Sequence, residues 1–378
     1  MQPGNSIGER PTQESTERER LAWLALASVP GIGARRIAEL ISRFGSAADA
    51  LDASRHQLSE LEWMTAGKLK ALGGEPALMG RALAASAERA QQLLLVPSDD
   101  LYPSRLRSIP DPPPVLFVRG DATALQRRGV AIVGSRNHTR YGAEVAARLA
   151  DEVVRAGAVV VSGMALGLDA VAQGAAIDAG GCTIGVLGTG ADIAYPQQNR
   201  QLFARTLANG ALLTEHAPGD RGHHGAFPRR NRLISGLSEV LVVVEAAEAS
   251  GTLITVGCAL EQGRDVYAVP GPITSPTSRG TNRLIRDGAI PILEPDDLFR
   301  ALGGAGGRPA TATSTPPCTL SPDEARVFEG LGNEPRHIDE LALATGLPIG
   351  TLLGTLLGLE IGGIAEQLPG SHFRRRSR

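Results

Sequence analysis

GVAIVGSRNHTRYGAEVAARLADEVVRAGAVVVSGMALGLDAVAQGAAIDAGG, residues 129–181, decides the fold. Two short Val-rich runs, VAIVG and AVVVSG, each end in glycine. Each is followed by an Ala-rich stretch with helical spacing, Tyr141 to Arg155 and Leu168 to Ala179. A continuous apolar run, rather than an alternating one, fits a strand covered on both faces, the usual condition of a parallel sheet. The alternation continues with strands at CTIGVLG, ALLTE, EVLVVVEA and DVYAVPG. Helices are expected over Asn199 to Ala208, GTLITVGCALEQG and TNRLIRDG, with a loop and a short helix before EVLVVVEA. The sum is an α/β fold, a Rossmann-like, doubly wound, mainly parallel sheet.

Outward from this core the composition changes. Upstream, Leu21 to about Gln92 repeats Ala and Leu at three and four, the helical period. LASVPGIGARRIAELISRFGS (26–46) breaks one helix at Pro30-Gly31 and restarts another after Gly33. That segment fits a phosphate-holding helix-hairpin-helix of a SAM-like domain, and equally an ordinary helical hairpin. The proline-rich stretch 93–120 holds two short strands. Downstream, GGAGGRPATATSTPPC is a linker by composition, and three helices plus a hairpin follow it, a winged-helix pattern. The expected division is therefore a disordered tail (1–17), a helical domain (18–92), the core (93–302), a linker (303–318) and a winged-helix domain (319–378).

Composition narrows the function. The 378 residues carry a net charge of −2, so no global basic field draws in nucleic acid, and any such binding must come from a local patch. Nearly all the positive charge is arginine, since Lys68 and Lys70 are the only lysines. Cys182, Cys258 and Cys318 are far apart and form no CxxC pair, so neither a zinc site nor a disulfide framework is expected. The N-terminus has no apolar signal-peptide core, and no apolar run is long enough to span a bilayer; the cytoplasm is the default compartment.

Ligands of a doubly wound sheet sit beyond the carboxyl ends of its strands. Four loops occupy that position. GSRNHTRYG offers Gly134, the Ser135 hydroxyl and the forked donor Arg136, but it is not a GxGxxG fingerprint. SGMALGLDA places Ser162, Gly163 and Ala165 before a helix start that Asp169 could cap; it fits an anion cradle or close helix–strand packing. HHGAFPRRNR carries His224, Phe227, Arg229, Arg230, Asn231 and Arg232. From Gly219 to Arg232 four arginines face one aspartate, a net +3. An aromatic among basic residues suits single-stranded nucleic acid, where bases stack and phosphates pair. The two histidines lack a carboxylate or cysteine at ligand spacing, so no metal is expected. SGT (Ser250, Gly251, Thr252) precedes a further helix. No GxSxG elbow or nucleophile–base pair is evident, and Asp169, Asp192, Glu215 and Glu245 remain unassigned carboxylates.

Taken together, Gly134-Ser135-Arg136, Ser162-Gly163-Met164-Ala165, Gly167-Leu168-Asp169, Phe227 to Gly236, Ser250 to Thr255 and Val269-Pro270-Gly271 keep an order and spacing that resembles the DprA/Smf family of DNA-processing proteins of bacterial natural transformation. The resemblance spans roughly 95 to 300. It implies a non-catalytic protein without cofactor that binds incoming single-stranded DNA, dimerises through the core and loads the recombinase RecA. Carried over, Arg136 would contact phosphate, and Ser162 and Gly163 would line the pocket. Phe227 would pack at or stack on a base, and Arg230, Asn231 and Arg232 would hold the strand. A basic residue often stands three positions before this phenylalanine. Here it is His224, which implies weaker or more pH-dependent binding.

The rival is a nucleotide-processing enzyme of the lysine-decarboxylase-like phosphoribohydrolase type, which carries PGGxGTxxE. Here the region reads SGTLITVGCALEQG, without the paired glycines, and Glu261 lies too far along. The third helix of the tail, PIGTLLGTLLGLEIGG, has no Lys or Arg and is a poor major-groove reader. A protein-binding or self-associating tail fits it better, with RRRSR as a separate phosphate contact.

Overall fold

The computed structural model describes residues 13–303, 321–332, 335–361, 364–368 and 370–375. Most of the tail 1–17, all but Gly303 of the linker expected at 303–318, Cys318 with it, and the last three residues of RRRSR lie outside them. Contacts divide the chain into two units, 1–305 and 306–378.

The larger unit is built on nine strands: β1 (Leu93–Leu95), β2 (Leu116–Gly120), β3 (Gly129–Val133), β4 (Val159–Ser162), β5 (Thr183–Val186), β6 (Gly210–Thr214), β7 (Val240–Val243), β8 (Asp265–Ala268) and β9 (Ile290–Pro291). Their order is β1-β2-β6-β5-β4-β3-β7-β8-β9. From β6 to β9 every pairing is parallel, while β1 and β2 close one edge antiparallel. The order reverses between β3 and β7, which makes their carboxyl ends the switch point where such sheets bind ligands.

The Val-rich runs are explained by burial on both faces. In β3, Val130 and Ile132 join Leu149, Val153, Leu168 and Ala172 on one side of the sheet. Ala131 and Val133 of the same strand join Leu233, Leu237 and Val256 on the other. Successive side chains point oppositely, so one strand serves two cores. The helices Arg140–Arg155 and Leu168–Asp178 cover the first face; Ala226–Gly236 and Thr252–Glu261 cover the second.

One expectation is corrected. The first helix, Gln13–Ala27, starts inside the stretch read as disordered. Arg18 pairs with Asp52, and the Glu19 carboxylate accepts the Ala47 and Ala48 N–H groups at 2.9 Å, which ties this helix to its neighbours. The N-terminal helices have a buried cluster of their own, with Leu26, Ile37, Leu40 and Leu58 in it. Leu24 and Ala87 pack with Leu94, Val96 and Phe117 in a shared cluster that joins them to the edge of the sheet.

The opening segment of the core is pinned by charge. Glu239 accepts hydrogen bonds from Arg128, at 2.8 and 3.0 Å, and from Arg105. These bonds, Arg128's foremost, hold the Glu239 carboxyl below its ordinary range against the opposing effect of burial.

The smaller unit has helices Pro322–Gly330, Ile338–Thr345 and Ile349–Ile361. A three-stranded sheet of order β10 (Arg336–His337), β12 (His372–Arg375), β11 (Ala365–Leu368) completes it as a winged helix. The strand β10 was not expected. Leu343, Ile349, Leu353 and Leu357 are exposed, so these helices present apolar rather than basic side chains. Among the described residues no single helix is long and apolar enough to cross a membrane.

A depressed carboxylate adds stability above its unfolded pKa and loses that contribution as pH falls through the folded value. Glu239→Gln is therefore expected to lower stability at neutral pH and to flatten the decline on acidification. Urea unfolding from pH 7 to pH 3 checks this; parallel curves for the two proteins would contradict it.

Candidate nucleic-acid interface

The first correction concerns HHGAFPRRNR. It is not a loop throughout: a helix runs from Ala226 to Gly236. Pro228 is its third residue, where the missing N–H costs nothing because the first N–H groups of a helix have no partner within it. Phe227, Arg230 and Arg232 are thus presented from a helix packed on the sheet.

The four loops come together at the carboxyl edge. The Ser135 N–H donates to the Glu245 carbonyl at 2.8 Å, and the Leu168 N–H donates to the Ser135 carbonyl at 3.2 Å. The Thr252 hydroxyl donates to the Gly134 carbonyl at 3.2 Å. Arg230 then ties the helix to two strand ends, with Nη1 donating to the Gly163 carbonyl at 2.6 Å and to that of Val186.

Arg230 is only 7% exposed. Burial lowers its pKa to about 10; Asp169 opposes this, and nearby Arg136 adds to it. Asp169 is buried too, and burial lifts its carboxyl above the ordinary range, against the pull of Arg230 and of the Gly163 N–H, which donates to it at 3.0 Å. Gly163 is the residue that fits between them: an added Cβ would lie 2.7 Å from both Arg230 Nη1 and Asp169 Oδ2. The next residue, Met164, has φ 56, a left-handed conformation that costs roughly 1–2 kcal/mol. Its N–H donates to Gln173 at 3.1 Å, and its carbonyl accepts from Asn199 at 2.9 Å.

Several expected contact residues are therefore engaged internally. The Ser162 hydroxyl is buried and donates to the Ile132 carbonyl at 2.7 Å. Arg232 is 8% exposed, pairs with both oxygens of Glu215 at 2.6 and 2.7 Å and reaches Asp111 at 3.1 Å. Burial works against its charge, but Glu215 and Asp111 outweigh it and hold the guanidinium above its ordinary value. Burial is the physical reason that neither Arg230 nor Arg232 reaches outward as a free cation. Ser250 and Thr252 bond to each other at 3.0 Å, which shapes the SGT turn.

The open side of the edge carries the rest. Arg136, Arg229 and His224 are exposed, and Gly134, Ala165, Phe227 and Asn231 are partly exposed. Arg136 and Arg229 have no ion-pair partner among the described residues. The unassigned carboxylates are all occupied: Glu215 by Arg232, Glu245 by the Thr139 N–H and hydroxyl, Asp192 by the Gly219 N–H, and Asp169 as above. Among the described residues no group of His, Cys, Asp and Glu is placed to hold a metal ion. Sequence reasoning missed Tyr195, whose ring lies 5.1 Å from that of Phe227, although it is one of only four tyrosines and follows a strand end.

Gly163→Ala is expected to cost about 1–3 kcal/mol, because the buried Arg230 guanidinium and Asp169 carboxylate crowd the new methyl group. Chemical denaturation measures it; a change within about 0.5 kcal/mol, the usual range for surface substitutions, would mean that the turn is not packed as described.

The family described as DNA recombination-mediator protein A matches residues 93–303. The DprA winged helix domain matches 310–371, and the DprA-like N-terminal HHH domain matches 17–54. Protein Smf of Synechocystis is 33% identical over 394 residues, covering 95% of this chain and 99% of that protein. DNA processing protein DprA of Bacillus subtilis is 46% identical over 219 residues, covering 57% of this chain and 74% of its own length. Among solved structures, DprA of Streptococcus pneumoniae aligns with TM-score 0.64 and 29% identity over 77% of this chain and 98% of that one. DNA processing protein A of Helicobacter pylori, whose structure is described as revealing its single-stranded DNA binding mode, aligns with TM-score 0.52 and 30% identity, covering 56% and 97%. With its core, its N-terminal helices and its winged helix all matched, this chain belongs to the DNA recombination-mediator protein A (DprA/Smf) family.

Proposed function

We propose that the chain binds single-stranded DNA along the carboxyl edge of its sheet and hands it to a recombinase of the RecA type, without chemistry of its own. The observation that carries the first part is the division of labour among the arginines. Arg230 and Arg232 are buried and hold the loops, while Arg136 and Arg229 are exposed at the same edge and Phe227 is partly exposed. Free forked cations beside aromatic rings suit a backbone of phosphates with flat bases. The H. pylori relative, named for binding single-stranded DNA, supports it by likeness. The recombinase step rests on the family's description as a recombination mediator.

Several helix starts and turns from three loops line one edge, which fits an extended polyanion better than one nucleotide. The occupied carboxylates leave no evident acid–base pair for a phosphoribohydrolase. A homodimer through the core is part of the proposal. Ile254 and Leu260 are 46% and 63% exposed, and with Gly257 between them they make an apolar stripe at i, i+3 and i+6 of one helix. Light scattering tests this directly, and the mass of a single chain would contradict it.

Arg136→Ala is expected to weaken binding of a single-stranded oligonucleotide roughly tenfold and to reduce the slope of log affinity against log salt by about 0.7. Arg232→Ala removes a charge already balanced by Glu215 and Asp111, so it should lower stability and leave the slope unchanged. Fluorescence anisotropy across a salt series measures both. Unchanged affinity and slope for Arg136→Ala would overturn the placement of the strand.

A further inference from the structure

The aromatic pair at the edge divides its roles differently from the family resemblance. Phe227 is partly buried, and the protein itself covers much of it. An added Cβ on Gly188 would lie 2.8 Å from Phe227 Cδ1 and 3.1 Å from Cε1, so the ring rests against bare backbone on that side. Tyr195 approaches from elsewhere, with ring centroids 5.1 Å apart and planes inclined by 35°. Tyr195 is itself 51% exposed.

A single exposed aromatic needs no explanation on its own. This one has a built seat. The segment after β5 that carries it is held on both sides: the Gly190 N–H donates to the Asp220 carbonyl at 2.8 Å, and Asn199 Nδ2 donates to the Met164 and Ala165 carbonyls at 2.9 and 3.0 Å. Those carbonyls belong to the turn that Arg230 fastens through Gly163, so Tyr195 shares the edge with the phosphate-facing loops. Rigid rings with two side-chain torsions lose little entropy when a base lies on them.

Resting on the single-strand reading above, we propose that Tyr195 is the base-stacking residue of this edge: its open face takes a nucleobase of the bound strand, and Phe227 supports it from beneath. Stacking of this kind is indifferent to sequence, because every base offers a π-face.

The test uses the full chain and two labelled oligonucleotides of equal length, oligo-dT and a fully abasic strand with the same phosphates and no bases. Tyr195→Ala and Tyr195→Leu should weaken oligo-dT binding about tenfold, leave the abasic strand unaffected and keep the salt slope. Tyr195→Phe should bind like the unsubstituted chain. Leu fills the seat should Ala disturb the fold, and comparing Leu with Phe then decides the matter. Equal binding of oligo-dT by the Leu and Phe variants would overturn the proposal, as would equal losses on both strands. Failure of the unsubstituted chain to bind either strand would instead remove the single-strand reading itself, and this inference with it.

Discussion

A guanidinium buried beneath a glycine turn organises the carboxyl edge of the sheet. Arg230 is a cation that burial disfavours, as its lowered pKa records. What offsets that cost is a fixed set of partners: the Gly163 and Val186 carbonyls and the charge of Asp169. Those partners lie at the ends of β4 and β5 and at the start of a helix, so one side chain links three elements. Breaking a buried charge network by removing one member is costly, because the remaining charge is left without compensation. The turn that results holds Met164 in a left-handed conformation and exposes Leu166 and part of Ala165 at the edge.

The same constraint separates structural from available charge. A protein of net charge −2 has no long-range pull on DNA, so the proposed binding depends on cations placed locally at this edge. Arg230 and Arg232 lie on the buried side of the helix that builds the edge, while Arg229 of the same helix and Arg136 of the first loop are exposed. Arg136 even adds to the lowering of the Arg230 pKa, an electrostatic sign that the free and the buried guanidinium are neighbours.

Much of this was legible in the sequence. The Val-rich runs from Val130 to Val161 announced two-faced strands, because every second residue feeds a different core. The glycine loops were correctly placed at the carboxyl edge, since strand–helix alternation fixes which end of each strand they follow. The fate of individual arginines was not legible. Arg232 meets Glu215 17 residues away and Asp111 121 residues away, and no local pattern encodes such a pairing. The helical start at Ala226 was hidden by Pro228, which reads as a loop signal until it is seen to occupy the first turn of a helix. The fusion of the N-terminal helices to the sheet depends on Leu24 and Ala87 meeting Phe117, a long-range packing event. Tyr195 carried only a weak signal, its rarity and its position after β5.

The central claim is that this edge is a groove for a single-stranded polyanion, and one titration tests it most directly. Fluorescence anisotropy of labelled single-stranded and duplex oligonucleotides would be followed across a salt series, with adenosine monophosphate as competitor. The account predicts preferential single-strand binding, an affinity that falls with salt at about 0.7 per neutralised phosphate, and no displacement by the mononucleotide. Weak binding of both oligonucleotides together with strong displacement by the mononucleotide would contradict it and point to a nucleotide-sized pocket.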